Sequence, residues 1–164
     1  MKKIYLLLSV IVIMSCEKDD ICAADTPTTP QVVIEFFNKT TTASKEVTSL
    51  KIQEFGNNNV LGIFNGSKIK IPLKTNFDIT KYTFTLNSDK PLLINPDNLE
   101  FNYTRNVVYI SRACGYKSNF MLDTNKLILE PEIPNSPPTE WISRISISKP
   151  NILNEDETHI KIYF

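Results

Sequence analysis

Val60-Leu61-Gly62-Ile63-Phe64-Asn65-Gly66-Ser67-Lys68-Ile69-Lys70-Ile71 decides the fold class. An apolar run precedes Asn65-Gly66, and an alternation of Lys with Ile comes after it. That dipeptide is the strongest short hairpin signal, because both residues tolerate positive φ. Period two, rather than 3.6, continues in both directions. Upstream, Val33 and Phe37 alternate with Val32, Ile34 and Phe36, so the first strand is apolar on both faces and expected at the centre of a sheet. Leu50 and Ile52 alternate with Lys51 and Gln53. Downstream, Tyr82, Phe84 and Leu86 alternate with Thr83 and Thr85, and Leu99, Phe101 and Tyr103 with Glu100 and Asn102. Val107 to Ile110 and Leu127 to Leu129 are continuous apolar runs. Ile145 and Ile147 alternate with Ser146 and Ser148, and Ile160, Ile162 and Phe164 with His159, Lys161 and Tyr163.

Turn chemistry separates these runs at Gly56 to Asn59, Asn87 to Pro91, Asn95-Pro96-Asp97 and Asn154 to Asp156. Pro131 to Pro138 reads as a longer crossing between sheets or edges. About nine or ten half-buried strands at this spacing predict an all-β fold, an antiparallel two-layer sandwich of immunoglobulin-like or related type. A small closed β-barrel is the alternative. A membrane-spanning barrel is excluded, because the strands are too short and too few. The last strand, ending at Phe164, is instead expected to pair inside the sandwich.

The first residues set the address. Lys2 and Lys3 precede an apolar run, Ile4 to Met14, broken only by Ser9. Its length, about eleven residues, suits a secretory signal and falls short of the roughly twenty a membrane span needs. Ile13-Met14-Ser15-Cys16 resembles a bacterial lipoprotein box, which implies cleavage before Cys16 and acylation of that cysteine, palmitate included. Residues 1–15 are then signal peptide, 16–30 a lipidated tether with a Thr/Pro linker, and 31–164 the sandwich domain.

The whole chain balances 18 basic against 18 acidic residues. Without Lys2 and Lys3 the remainder carries a net charge of about −2, which gives no basic excess to displace counterions from a nucleic acid. Nor is there a polybasic block to hold an anionic surface. Membrane attachment therefore falls to lipid, and two or more acyl chains anchor stably where one does not.

Lys18-Asp19-Asp20 resembles the short lysine-plus-two-acids signal that sends Bacteroidota lipoproteins to the cell surface. The expected location is the outer membrane, with the surface preferred over the periplasmic face. Thr26-Pro27-Thr28-Thr29-Pro30 favours extended polyproline geometry, a semi-rigid spacer.

Cys16-Glu17-Lys18-Asp19-Asp20-Ile21-Cys22, the Thr-Pro stretch, Ile71-Pro72-Leu73 and Arg112-Ala113-Cys114-Gly115-Tyr116 together resemble an uncharacterised family of small Bacteroidota lipoproteins. The resemblance implies a compartment and a cysteine pair, and it brings no activity. With Cys16 acylated, Cys22 and Cys114 remain in an oxidising compartment, where a bridge is the expectation. It would close a loop of about ninety residues and stabilise by up to ~4–5 kcal/mol in the chain-entropy model. A redox-active pair would need Cys-x-x-Cys spacing, which is missing.

No constellation for chemistry emerges. His159, the single histidine, is expected on the solvent side of its strand, with no partner spacing for a transition metal or for a nucleophilic Cys114. Asp97 with Glu100, Glu130 with Glu132, and Glu155 with Glu157 lie at strand ends or turns, where solvated charge is expected. No Gly-x-Ser-x-Gly elbow or phosphate loop occurs. The sequence thus assigns no catalytic residue, metal or cofactor.

Trp141, Tyr103, Tyr109, Tyr116 and Tyr163 are expected mostly as core or rim packing, the tyrosines being candidates for exposure. The alternative is a binding platform near Trp141, with Trp141 and Tyr116 as the candidate ligand-binding aromatics. Two functions stay open: a non-catalytic accessory domain docking on another envelope protein, for instance an outer-membrane protein, and a glycan- or peptide-binding module. Oligomeric state is left open.

Overall fold

The computed structural model describes residues 21–126, 128–130 and 140–164. Among them lie eleven strands and no helix: β1 (Val32–Phe37), β2 (Val47–Glu54), β3 (Val60–Gly66), β4 (Lys68–Ile71), β5 (Ile79–Leu86), β6 (Asn95–Ser111), β7 (Gly115–Leu122), β8 (Ile128–Glu130), β9 (Arg144–Ile147), β10 (Asn151–Ile152) and β11 (Ile160–Tyr163). They form two packed sheets with no closed barrel. The smaller runs β4-β1-β11-β9; the larger runs β10-β7-β6-β5-β2-β3, with β8 also on β6. The expected sandwich is therefore observed.

The alternation read from the sequence marks the core. Leu50 and Ile52, Ile69 and Ile71, Tyr82 and Phe84, Leu99 to Tyr103 by twos, and Ile160 and Ile162 all point inward and are buried. Each buried side chain of this size contributes roughly 1.5–3 kcal/mol. β1 sits between β4 and β11, as its two apolar faces predict. Val32, Ile34 and Phe36 enter the core, and Val33 is buried on the other face. Its pairing with β11 is parallel, Ile34 opposite Ile160 and Phe37 opposite Tyr163, whereas the other strand pairs are antiparallel. The final strand thus pairs inside the smaller sheet, as expected.

Asn65-Gly66 is not a hairpin. β3 pairs with β2 in the larger sheet, and β4 pairs with β1 in the smaller. A two-residue type I′ turn needs positive φ at both positions; only Gly66, at φ 108°, has it. The Asn65 side chain is occupied elsewhere, its Oδ1 accepting from Ser49 N–H at 2.8 Å. The Ser67 carbonyl accepts from Phe36 N–H at 2.8 Å, which draws the chain across to the second sheet. The dipeptide is a corner between layers.

Asn95-Pro96-Asp97, expected as a turn, opens the 17-residue β6. Pro96 faces Thr85 at the start of the strand, where its missing N–H is tolerated. Asp97 is buried at 1% exposure, and its Oδ2 accepts from Ile142 N–H at 2.8 Å. The expectation of solvated charge fails there, because a backbone donor from a distant segment needs that carboxylate. Pro131 to Pro138 and Glu132 lie outside the described residues. The flanking strands β8 and β9 belong to different sheets.

Candidate functional site

Cys16, Lys18, Asp19 and Asp20 lie outside the described residues, so the site is built from Cys22 onward. Cys22 is bonded to Cys114, 92 positions away. Cys114 sits in the tight connection between β6 and β7, where its N–H donates to Ser111 Oγ at 3.0 Å and Gly115 takes φ 69°. From Cys22 the chain lies against the body. Thr26 Oγ1 is 3.6 Å from Cys114 Sγ, and Thr29 Oγ1 accepts from Ser118 N–H at 3.0 Å.

That second bond has a clear cause. β10 covers the edge of β7 only at Phe120 and Met121, so Ser118 further along would otherwise leave a donor unpaired. Pro30 is buried next, and Gln31 N–H donates to Glu155 Oε1 at 2.9 Å. Lys70 Nζ, 2.9 Å from Glu155 Oε2, closes the join and holds the Glu155 carboxyl below the ordinary carboxylate range. Residues 22–31 therefore form a strap along the domain, not the spacer expected from their Thr/Pro composition.

The candidate aromatics are not brought together. Trp141 is a core residue, only 8% exposed; its Nε1–H donates to the Phe84 carbonyl at 3.1 Å and its ring meets Phe164 edge-on at 5.2 Å. Packing in the core is thus the reading that holds for Trp141, and the alternative of a ligand platform around it is corrected: the indole needs both an apolar bed and a partner for its N–H, and the sandwich supplies both. Tyr116 is 70% exposed and packs edge-to-face on Tyr109 at 5.3 Å. Tyr103 is buried, sharing a 2.6 Å hydrogen bond with Thr80 Oγ1. Tyr163 stacks on Phe37, with the Arg144 guanidinium 3.7 Å from its ring centre.

His159 is also corrected. It is buried at 1% exposure, not solvent-facing, because its Nδ1 accepts from Val33 N–H at 2.9 Å. Burial pushes its pKa down, against the pull of Glu157 and Glu155. Among the described residues no group of three His, Cys, Asp or Glu could hold a metal ion. No described helix is long and apolar enough to cross a membrane.

An open groove of about 600 Å³ lies where β5, β6 and β7 meet, lined by Ile79, Asn102, Thr104, Met121, Asp123 and Pro150 among others. Asp78 at its rim accepts from Arg105 Nε at 2.6 Å. Asp78 and Ile79 also line an adjoining hollow of about 360 Å³ with the exposed Phe55 and Phe77. The groove has an apolar floor and engaged charges at its rim, which suits contact with an extended ligand. Its residues come from the start of β5, the middle of β6 and the end of β7 with the loops beside them, so no local motif announced them.

The sequence model of one protein family matches residues 39–164. The chain belongs to DUF6452, a family of unknown function. The match to DUF6452 begins after the strap and covers β2 to β11. No curated protein and no solved structure matches.

Proposed function

We propose that this DUF6452 chain is a bacterial envelope lipoprotein of Bacteroidota type, acylated at Cys16 and displayed on the outer membrane. Its body acts without catalysis by docking on another envelope protein. The observation that carries this reading is the strap. Six residues after the acylation site, Cys22 is bonded to the tip of the β6–β7 connection, and Thr29 and Gln31 fasten the adjoining segment. A tether fixed in this way gives a lipid-anchored domain a set orientation, and membrane proximity raises the effective concentration of even a weak docking face.

Lys18-Asp19-Asp20 supports the surface over the periplasmic leaflet. Mass spectrometry of protein from its native host tests the anchor: the expected species starts at an acylated Cys16, and an unmodified Cys16 removes the reading. Cross-linking in intact membranes tests docking. A companion is expected with the native chain and lost in Ile79→Asp; the same recovery from both removes the groove as the docking face.

A second reading, a glycan- or peptide-binding module, draws on the groove at Ile79 and Met121 instead of on Trp141. Saturable binding of a peptide or glycan that Met121→Asp abolishes would favour it.

A further inference from the structure

β6 outruns its neighbours. Its strand pairing with β5 ends at Asn102, one further backbone bond runs from Tyr103 N–H to the Asp78 carbonyl, and beyond that β7 is its one strand partner among the described residues. The distal half of this two-stranded ribbon carries Val107, Tyr109 and Tyr116, which are 59%, 57% and 70% exposed. Register sets them on one face: Tyr109 opposes Tyr116, and Val107 lies two residues before Tyr109. A ribbon of two strands is marginal by itself in water, and a solvated tip would ordinarily be polar. Here the tip shows an aromatic pair and a valine, with the exposed Arg112 at the turn.

The chain outside the described residues says what can cover this face. Cys114 at the tip is bonded to Cys22, and Cys22 stands six residues from Cys16. Six residues span at most about 22 Å when fully extended. An acyl chain on Cys16 therefore keeps the ribbon tip within that reach of the bilayer, whatever path the intervening residues take. Tyrosine, with an apolar ring and a polar hydroxyl, is enriched at headgroup depth. An arginine beside it can lay its stem along the apolar surface and keep its charge among phosphates.

We infer that the distal β6–β7 ribbon is a membrane-contact surface: Tyr109, Tyr116 and Val107 seat in the headgroup layer of the bilayer that holds the anchor. The ribbon then fixes the domain's standing angle as a second point of contact. This inference rests on acylation of Cys16.

The test uses the full acylated chain on phosphatidylethanolamine–phosphatidylglycerol vesicles that contain lipids brominated near the headgroup. A tryptophan is introduced as Tyr116→Trp, as Tyr109→Trp, or as Ile63→Trp on the far strand β3. Trp141, buried in the core, serves as the internal reference. The added fluorescence in Tyr116→Trp and Tyr109→Trp is expected to be largely lost on vesicle binding, and that in Ile63→Trp retained. Bound protein in which the ribbon indoles are quenched no more than Ile63→Trp overturns the membrane contact and leaves the anchor standing. Failure of the chain to float with vesicles overturns the anchor, and the contact with it.

Discussion

Val33 and His159 hold each other twice. The Val33 N–H donates to His159 Nδ1 at 2.9 Å, and the His159 N–H donates to the Val33 carbonyl at 3.0 Å. The pair joins residues 126 positions apart, at the point where β1 and β11 come together. Nδ1 can accept only while it carries no proton, so the folded state requires the neutral ring.

The folded pKa of His159 is lowered from 6.5 by burial, so below that value the unfolded chain binds more protons than the folded one. Stability is therefore full above pH 6.5 and falls as pH drops toward the folded pKa. Urea unfolding between about pH 8 and 5 checks this. The midpoint should fall with pH in the native chain and stay flatter in His159→Asn, whose amide oxygen can accept from Val33. Glu54, Glu100 and Glu155, held below 4.5 by lysines and asparagine side chains, lose their contributions in a separate, more acidic window.

Replacing Trp141 by alanine should cost about 3–5 kcal/mol, the range for truncating a large core aromatic. The loss comprises the contacts with Phe36 and Phe164 and the hydrogen bond to Phe84. Denaturant titration measures it. In the native chain, emission from Trp141 should be blue-shifted and shielded from iodide; ready quenching would contradict its burial.

Asp97→Ala should cost roughly 1–3 kcal/mol, the range for leaving a buried donor without its partner. It leaves the Ile142 N–H without its acceptor. The same unfolding measurement applies, and a change within error of zero would mean that the bond from Ile142 to Asp97 adds nothing to stability.

Gly66→Ala tests the corner between the layers. Nothing lies within 4 Å of the position an added Cβ would take, so the effect is backbone strain at φ 108°. A cost of about 1–3 kcal/mol is expected. Asn65→Ala should weaken the same corner by freeing the Ser49 N–H.

Reduction, or the double substitution of Cys22 and Cys114 by serine, should lower the unfolding free energy by no more than ~4–5 kcal/mol. It should also release the strap. Limited proteolysis checks the second effect: cleavage between Ala23 and Thr28 should be slow in the oxidised chain and fast in the variant, with the body still protected.

Strand existence is legible in the sequence because one buried face imposes a period of two on strands such as β6, with Leu99, Phe101 and Tyr103 turned inward. Strand partnership is not. Asn65-Gly66 encodes a local bend, but the destination of Lys68–Ile71 depends on Phe36 and the rest of β1, far away in sequence. His159 and Asp97 defy their local context for a related reason. Each is a polar side chain answering a buried backbone N–H on a distant segment, and composition carries no trace of that demand. The Cys22–Cys114 bond is reached by counting cysteines. The strap it begins is not, since Thr29 is defined by the unpaired edge of β7. The groove likewise exists only once β5, β6 and β7 come together.

The parallel union of β1 with β11 has a consequence for how the molecule is made. The inner strands of the smaller sheet are the first and the last of the described strands. Until Ile160–Tyr163 have been synthesised, Ile34 and Phe36 lack the neighbour they need, and β9 has no strand to join. So long-range a closure makes the smaller sheet slow to complete, since β1 must wait for a strand far downstream. The smaller sheet is therefore the layer that closes late, while the pairings of the larger one need no strand beyond β10.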